Sequence, residues 1–193
     1  MVPKYIRWRV DNISLNRRWA KEYAPQDWIY QTNLDNSARF VLGINGNNPL
    51  VCFGINPSVA RPDLPDPTLQ RVEKYAYKNG FNSWIMLNIY PQRATNPNEI
   101  HSSVDVQLHR ENIECIRNVI LCQKLMIWAA WGEAINAHNQ LLTCLYEIEE
   151  VVKEANCRWV ALGLTPNNNP YHPLYRGKGF KLYTTQLTPY SRT

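Results

Sequence analysis

The sequence predicts an α/β fold, a three-layer α/β/α domain around a central, mainly parallel four-stranded sheet. Three observations point there. Short apolar, β-compatible runs recur at 50–55 (LVCFGI), 83–89 (SWIMLNI), 124–131 (KLMIWAAW) and 158–164 (RWVALGL), as strands buried on both faces do. Segments with helical periodicity of up to about twenty residues separate them, the pattern of crossover helices. No internal repeat, low-complexity run or long linker divides the 193 residues, so a single domain over 1–193 is expected.

Taken in order, ARFVLGI (38–44) reads as a first strand, and Gly46, Asn47, Asn48 and Pro49 as turn residues before LVCFGI. Asp66, Pro67 and Thr68 open a helix, with a side-chain oxygen at the N-cap and proline in the first turn. Leu69, Val72, Tyr75 and Ala76 carry its buried face, and Gly80 stops it. After SWIMLNI comes a polar loop from Pro91 to Asn98. A helix over 104–122 follows, turning Leu108, Ile113, Ile116 and Ile120 inward. A third long helix is expected over 133–154, and the last apolar run empties into the loop TPNNNPYHPLYRGKG.

Hydrophobic residues at 45% and charged residues at 19% exclude a disordered chain. No apolar run reaches the roughly 18 residues of a membrane span, and the start MVPKYIRWRV lacks the apolar region of a signal peptide. A cytoplasmic protein away from membranes is expected. Cys52, Cys115, Cys122, Cys144 and Cys157 fall mostly in apolar stretches without a C-x-x-C pair, as reduced core thiols do. His101, His109, His138 and His172 are scattered, so no metal site is expected. The net charge of +5 has a location: Arg158, Arg176, Lys178, Lys181 and Arg192 follow Glu154, after which no acidic residue occurs. A basic, aromatic-dotted end beside a neutral body suggests a surface that faces a polyanion.

Parallel sheets bind ligands outside the carboxyl ends of their strands. Those ends carry Gly54-Ile55-Asn56-Pro57-Ser58, Leu87-Asn88, Trp131-Gly132 and, after the last strand, Tyr171-His172-Pro173-Leu174. Each follows an apolar run with polar or turn-forming residues, and the parallel arrangement brings all four to one rim. In this order they resemble the motifs of the uracil-DNA glycosylase superfamily. Gly54-Ile55-Asn56-Pro57 is similar to the first motif of its mismatch-specific thymine/uracil branch, and Ile85-Met86-Leu87-Asn88 to the strand whose Asn reads the base. Ile127 to Gly132 resembles the strand ending in W-G, and His172-Pro173-Leu174 the start of the catalytic-histidine motif. The likeness spans roughly residues 38–180. The fuller pattern of N-P-S-x-A, D-P-T, W-G and H-P-L-Y also resembles an uncharacterised bacterial and phage family of unknown function.

The resemblance implies a DNA glycosylase that flips a damaged or modified pyrimidine out of the helix and hydrolyses its N-glycosidic bond, leaving an abasic site without any cofactor. Asn56 would hold the attacking water and His172 would hydrogen-bond to the leaving base. Asn88 would read the base edge, with Ile55 and Ser58 beside it. Leu174 and Tyr175 would fill the stack, and Arg176 with Lys178 would meet phosphates. Uracil-specific members carry a tyrosine where Ser58 stands, and its ring excludes a 5-methyl group. Ser58 therefore implies room for a 5-substituted or hypermodified phage pyrimidine, with a role in base excision or antiviral defence.

Plainer roles stand beside each of these. Asn56 fits an Asn-Pro turn, His172 an exposed loop, Asn88 a strand-end cap and Trp131 core packing. Asp66 already serves as a helix cap, and Asp63 is a second acid that could activate water. Two other functions stay open: a non-catalytic nucleic-acid-binding module of the same fold, and a nucleotide-processing small-molecule enzyme.

Overall fold

The structure, a computed structural model, describes residues 19–121 and 125–192. Its sheet contains β1 (Trp28–Thr32), β2 (Arg39–Ile44), β3 (Pro49–Gly54), β4 (Ser83–Asn88), β5 (Met126–Ala129), β6 (Arg158–Ala161) and β7 (Thr188–Pro189). The seven strands lie in the order β1-β2-β4-β3-β5-β6-β7. The four central strands pair in parallel, whereas β2 runs antiparallel to β4, β1 to β2 and β7 to β6. The expected four-stranded sheet is thus the middle of a larger mixed one. The added edge strands give weaker signals, because β1 is mostly half-buried and β7 is two exposed residues.

Helices α1 (Pro67–Lys78), α2 (Val106–Ile120) and α3 (Leu141–Glu154) cover both faces. Alternation along the strands divides the core accordingly. Leu50, Cys52, Trp84, Met86 and Trp128 pack with Leu69, Val72, Tyr75 and Ala76 of α1. Val51, Phe53, Ile85, Leu87 and Ile127 pack with Ile116 and Ile120 of α2 and with Leu145 and Ile148 of α3. Two of the three helices begin on a side-chain cap: Asp66 accepts the Leu69 N–H at 2.8 Å, and Asp105 accepts that of Leu108 at 3.0 Å.

The expected helix over 133–154 is two elements. Gly132 has φ +67°, which breaks the chain after β5 into a 3-10 segment, Gly132–Ala137, and only then does α3 begin at Leu141. Of the expected strand over 124–131, Met126–Ala129 form β5 and the chain leaves the sheet by Ala130, while Lys124 lies outside the described residues. Cys52, Cys144 and Cys157 are buried thiols and Cys115 is half-buried, while Cys122 lies outside the described residues.

Candidate functional site

The parallel register delivers the ends of β3, β4 and β5 to one edge. Gly54 lies level with Asn88 and Phe53 with Ala129. The loops after β3 and β4 are zipped together beyond the sheet. Ile89 N–H donates to the Gly54 carbonyl at 3.0 Å, Tyr90 N–H to Ile55 at 2.9 Å and Ala94 N–H to Pro57 at 2.9 Å. The hydroxyls of Ser58 and Thr95 meet at 3.0 Å.

Asn56 sits inside this zipper, and its amide has a fixed sense. Its Nδ2 donates to the Ala94 carbonyl at 2.8 Å and to the Pro57 carbonyl at 3.0 Å. Both donor hydrogens are thereby used, and among the described residues Oδ1 accepts nothing. The turn reading accounts for the nitrogen and leaves the oxygen as an available acceptor.

Asn88 is fully buried, and neither its nitrogen nor its oxygen finds a partner among the described residues. It lies under the end of β3: a Cβ on Gly54 would come 3.2 Å from its Oδ1 and 2.6 Å from the Met86 methyl, so only glycine leaves the amide this space. From the other face, Asn112 of α2 donates to the Asn88 carbonyl at 3.0 Å and the Ile89 carbonyl at 3.3 Å, pinning the strand end. An unpartnered buried amide costs about 1–3 kcal/mol for each group left without a bond. The structure therefore places Asn88 beneath the rim, with its bonding capacity unspent. Ile55 is half-buried against the α2/α3 core, and Ser58 lines a neighbouring cavity of about 440 Å³ with Arg61, Arg93, Thr95 and Glu99.

His172 comes from the other half of the rim. The Gly132 N–H donates to the Pro170 carbonyl at 3.0 Å, and a Cβ on Gly132 would stand 3.0 Å from that of His172. The W-G and H-P motifs are thus in contact. His172 Nδ1 accepts the Leu174 N–H at 3.2 Å, which assigns the ring proton to Nε2 in the neutral form. Burial lowers the His172 pKa; Asp66 opposes that shift and Arg71 reinforces it. At neutral pH this is an uncharged imidazole with an N–H to give.

The remaining expected residues separate. Leu174, Arg176 and Lys178 are exposed on the loop after His172. Tyr175 instead stacks on Tyr171, with centroids 3.7 Å apart and rings 11° from parallel, and Phe180 stands edge-on to both. The basic C-terminal stretch is no single surface either. Arg158 lies at the opposite end of β6, and Arg192 is bound to Glu149 at 3.1 and 3.0 Å. Trp131 is buried edge-on to Trp159 and Tyr190, as core packing predicts. Asp63 is paired with Arg61 at 2.7 Å.

Sequence reading misses several residues that build the rim. Arg93 bonds to Asn36 at 3.3 Å, Tyr30 at 2.6 Å, the Ala60 carbonyl at 3.2 Å and the Ser58 carbonyl. Arg39, buried at the start of β2, shares the Ala60 carbonyl at 2.9 Å. Burial pushes its pKa down to about 10, with help from Arg93 and against Asp66 and Tyr30. Glu133 gathers the loop before His172, accepting from Asn136 at 2.8 Å, Asn167 at 3.0 Å and Asn169 at 3.3 Å. Only the run of asparagines at 167–169 hints at this in the sequence.

A family described as a protein of unknown function (DUF1643) matches residues 39–174, which contain every strand-end motif named above. The chain belongs to that family. Its match ends at Leu174, so it takes in the zipper, Gly132 and His172 but not Arg176 or Lys178. No curated protein and no solved structure matches the chain. Among the described residues no helix is long and apolar enough to cross a membrane.

Proposed function

We propose that this protein is a DNA glycosylase that hydrolyses the N-glycosidic bond of a flipped-out, modified pyrimidine, on a fold like that of the uracil-DNA glycosylases. The observation that carries the reading is the opposite wiring of two neutral groups at one rim. Asn56 has its donors tied to backbone carbonyls and its acceptor open. His172 has its acceptor nitrogen tied to the Leu174 N–H and its donor open.

Those two groups match what the cleavage needs. Oδ1 of Asn56 accepts a hydrogen bond from water and aims its lone pair at the sugar carbon. An amide is too weak a base to remove the proton early, so the glycosidic bond breaks ahead of attack and the sugar becomes oxocarbenium-like. The electron pair of that bond leaves with the base. The Nε2–H of neutral His172 then stabilises the base anion with a preformed hydrogen bond. Water closes on the sugar carbon, its proton passes to solvent and the base is protonated on release. Leu174 is exposed beside His172, suited to fill the gap left by a flipped base, while Arg176 and Lys178 supply charge for the backbone. The cavity of about 440 Å³ beside Ser58 favours a pyrimidine with a bulky 5-substituent.

The test is base release from oligonucleotides that carry uracil, mismatched thymine, 5-hydroxymethyl or glucosylated pyrimidines, read as free base and alkali-labile breaks. Release at one base, lost in Asn56→Ala and His172→Ala, is the expected result. A second reading, a nucleic-acid-binding module without chemistry, is favoured by the complete burial of Asn88, which keeps its amide from an incoming base. Salt-dependent DNA binding with no release across the panel would replace the first reading by the second.

A further inference from the structure

We infer that Arg71, on α1, is a positioning residue that clamps the His172 loop against the helix through the Pro173 carbonyl, so that the first turns of α1 decide where the imidazole stands. The role assigned to His172 rests on the glycosylase reading; the clamp itself rests on geometry.

Arg71 Nη1 donates to the Pro173 carbonyl at 2.9 Å, across 102 positions of sequence. Proline cannot donate a backbone hydrogen bond, so the segment from His172 to Leu174 has few means of its own to hold a shape. Its internal bonds are two. Tyr175 N–H reaches the His172 carbonyl at 2.8 Å, and Leu174 N–H reaches His172 Nδ1 at 3.2 Å. Both close the loop on itself and neither fixes it to the sheet. Pro170 is fixed to Gly132, and Tyr171 N–H to the Gly163 carbonyl at 2.9 Å. Beyond Tyr171, the Arg71 bond ties the turn to another element. α1 is a firm base for it, since four of its side chains are buried in the core and Asp66 caps it.

The same residue acts on the proton. The charges that face His172 are Asp66, the N-cap of α1, and Arg71 on α1 itself, whereas the loop after β5 presents the uncharged Gly132. Burial favours the neutral ring, Asp66 would draw a proton onto it, and the Arg71 guanidinium counters Asp66. Without Arg71 the acid is left unopposed. The ring then takes up a proton at higher pH, and the Nδ1 that accepts the Leu174 N–H is lost as an acceptor.

Arg71 is half-buried on a helix surface, so its replacement leaves the core intact. Arg71→Met keeps the stem and removes both donor and charge; Arg71→Lys keeps a charge and one donor. Amide exchange at Leu174 and Tyr175, and the His172 ring titration, are read by NMR on the whole chain. In Arg71→Met the two amides are expected to exchange at least tenfold faster and the His172 midpoint to rise, with Arg71→Lys returning the midpoint toward wild type. If both amides and the midpoint stay unchanged in Arg71→Met, the clamp is wrong. An equal loss of protection throughout the chain also overturns it, because that marks general destabilisation. Neither readout needs base release. Failure of the glycosylase reading therefore shows only in the oligonucleotide panel.

Discussion

The two halves of the rim are held in different ways. After β3 and β4, neighbouring loops bond to each other through backbone groups, and Asn56 is oriented by carbonyls of that same zipper. After β5 and β6, the chain is shaped by side chains from elsewhere: Arg71 of α1 on Pro173, Glu133 on three asparagines, and the bare Cα of Gly132 against His172. A backbone zipper tolerates most single substitutions, because the groups that make it belong to every residue. A loop hung on a few side chains does not. The first half should therefore lose function mainly at the functional side chain itself and at Arg93 and Arg39, which hold the Ser58 and Ala60 carbonyls, and the second at several residues that touch no substrate.

The largest effect is expected at Asn56. Asn56→Ala should lower single-turnover base release by roughly a hundredfold or more, the scale of losing one fixed polar contact to the transition state. Its thermal midpoint should fall only modestly: the Ala94 and Pro57 carbonyls lose the Asn56 amide, while the backbone bonds of the zipper remain. A collapse of stability in that variant would break the comparison. Next comes Gly132→Ala. A left-handed φ of +67° and a Cβ placed 3.0 Å from that of His172 both resist the methyl group. The positive φ alone costs about 1–2 kcal/mol. Release should fall about tenfold as His172 is displaced, and the chemical shifts of the His172 ring report that displacement directly.

The sequence made the zipper half easier to read than the clamped half, and the reason is distance along the chain. β3, β4 and β5 announce themselves as apolar runs, and Gly54, Asn56 and Asn88 follow directly at their ends. A parallel arrangement of those runs was enough to bring their ends to one rim. Arg71 and Pro173 lie 102 positions apart, and nothing about an arginine on a helix face names a carbonyl in a distant loop. Arg39 was equally hidden: it reads as the polar start of a strand, and its burial follows only from β2 crossing to the far side of β4. The C-terminal charge pattern misled for a related reason. Composition grouped five cations that the fold scatters between both ends of the sheet and an ion pair with Glu149.

Asn88→Leu sharpens the comparison with a gain. Leucine shares the branching of asparagine, with larger ends, and brings no polar atoms, so it removes two unpartnered buried groups. A stability increase of about 1 kcal/mol or more is expected in denaturant unfolding. A loss of stability would mean that an ordered water or a neighbouring group already satisfies the amide in solution.

The smallest effect is the dependence of stability on pH, part of which should trace to the clamped half. Burial lowers the His172 pKa below the unfolded value of about 6.5, so the unfolded chain binds more protons in the interval between the two. Stability then rises with pH across that interval, is complete above about 6.5, and is lost progressively as pH falls toward the folded value. His109 contributes with the same sign, because burial lowers it as well despite Glu147 at 3.1 Å. His172→Gln should flatten only part of this slope and His109→Gln another part. The Asn56 amide does not titrate, so Asn56→Ala should leave the slope unchanged. A steeper slope in His172→Gln than in the wild type would mean that the imidazole is charged in the fold, which would remove the neutral donor on which the second half of the rim depends.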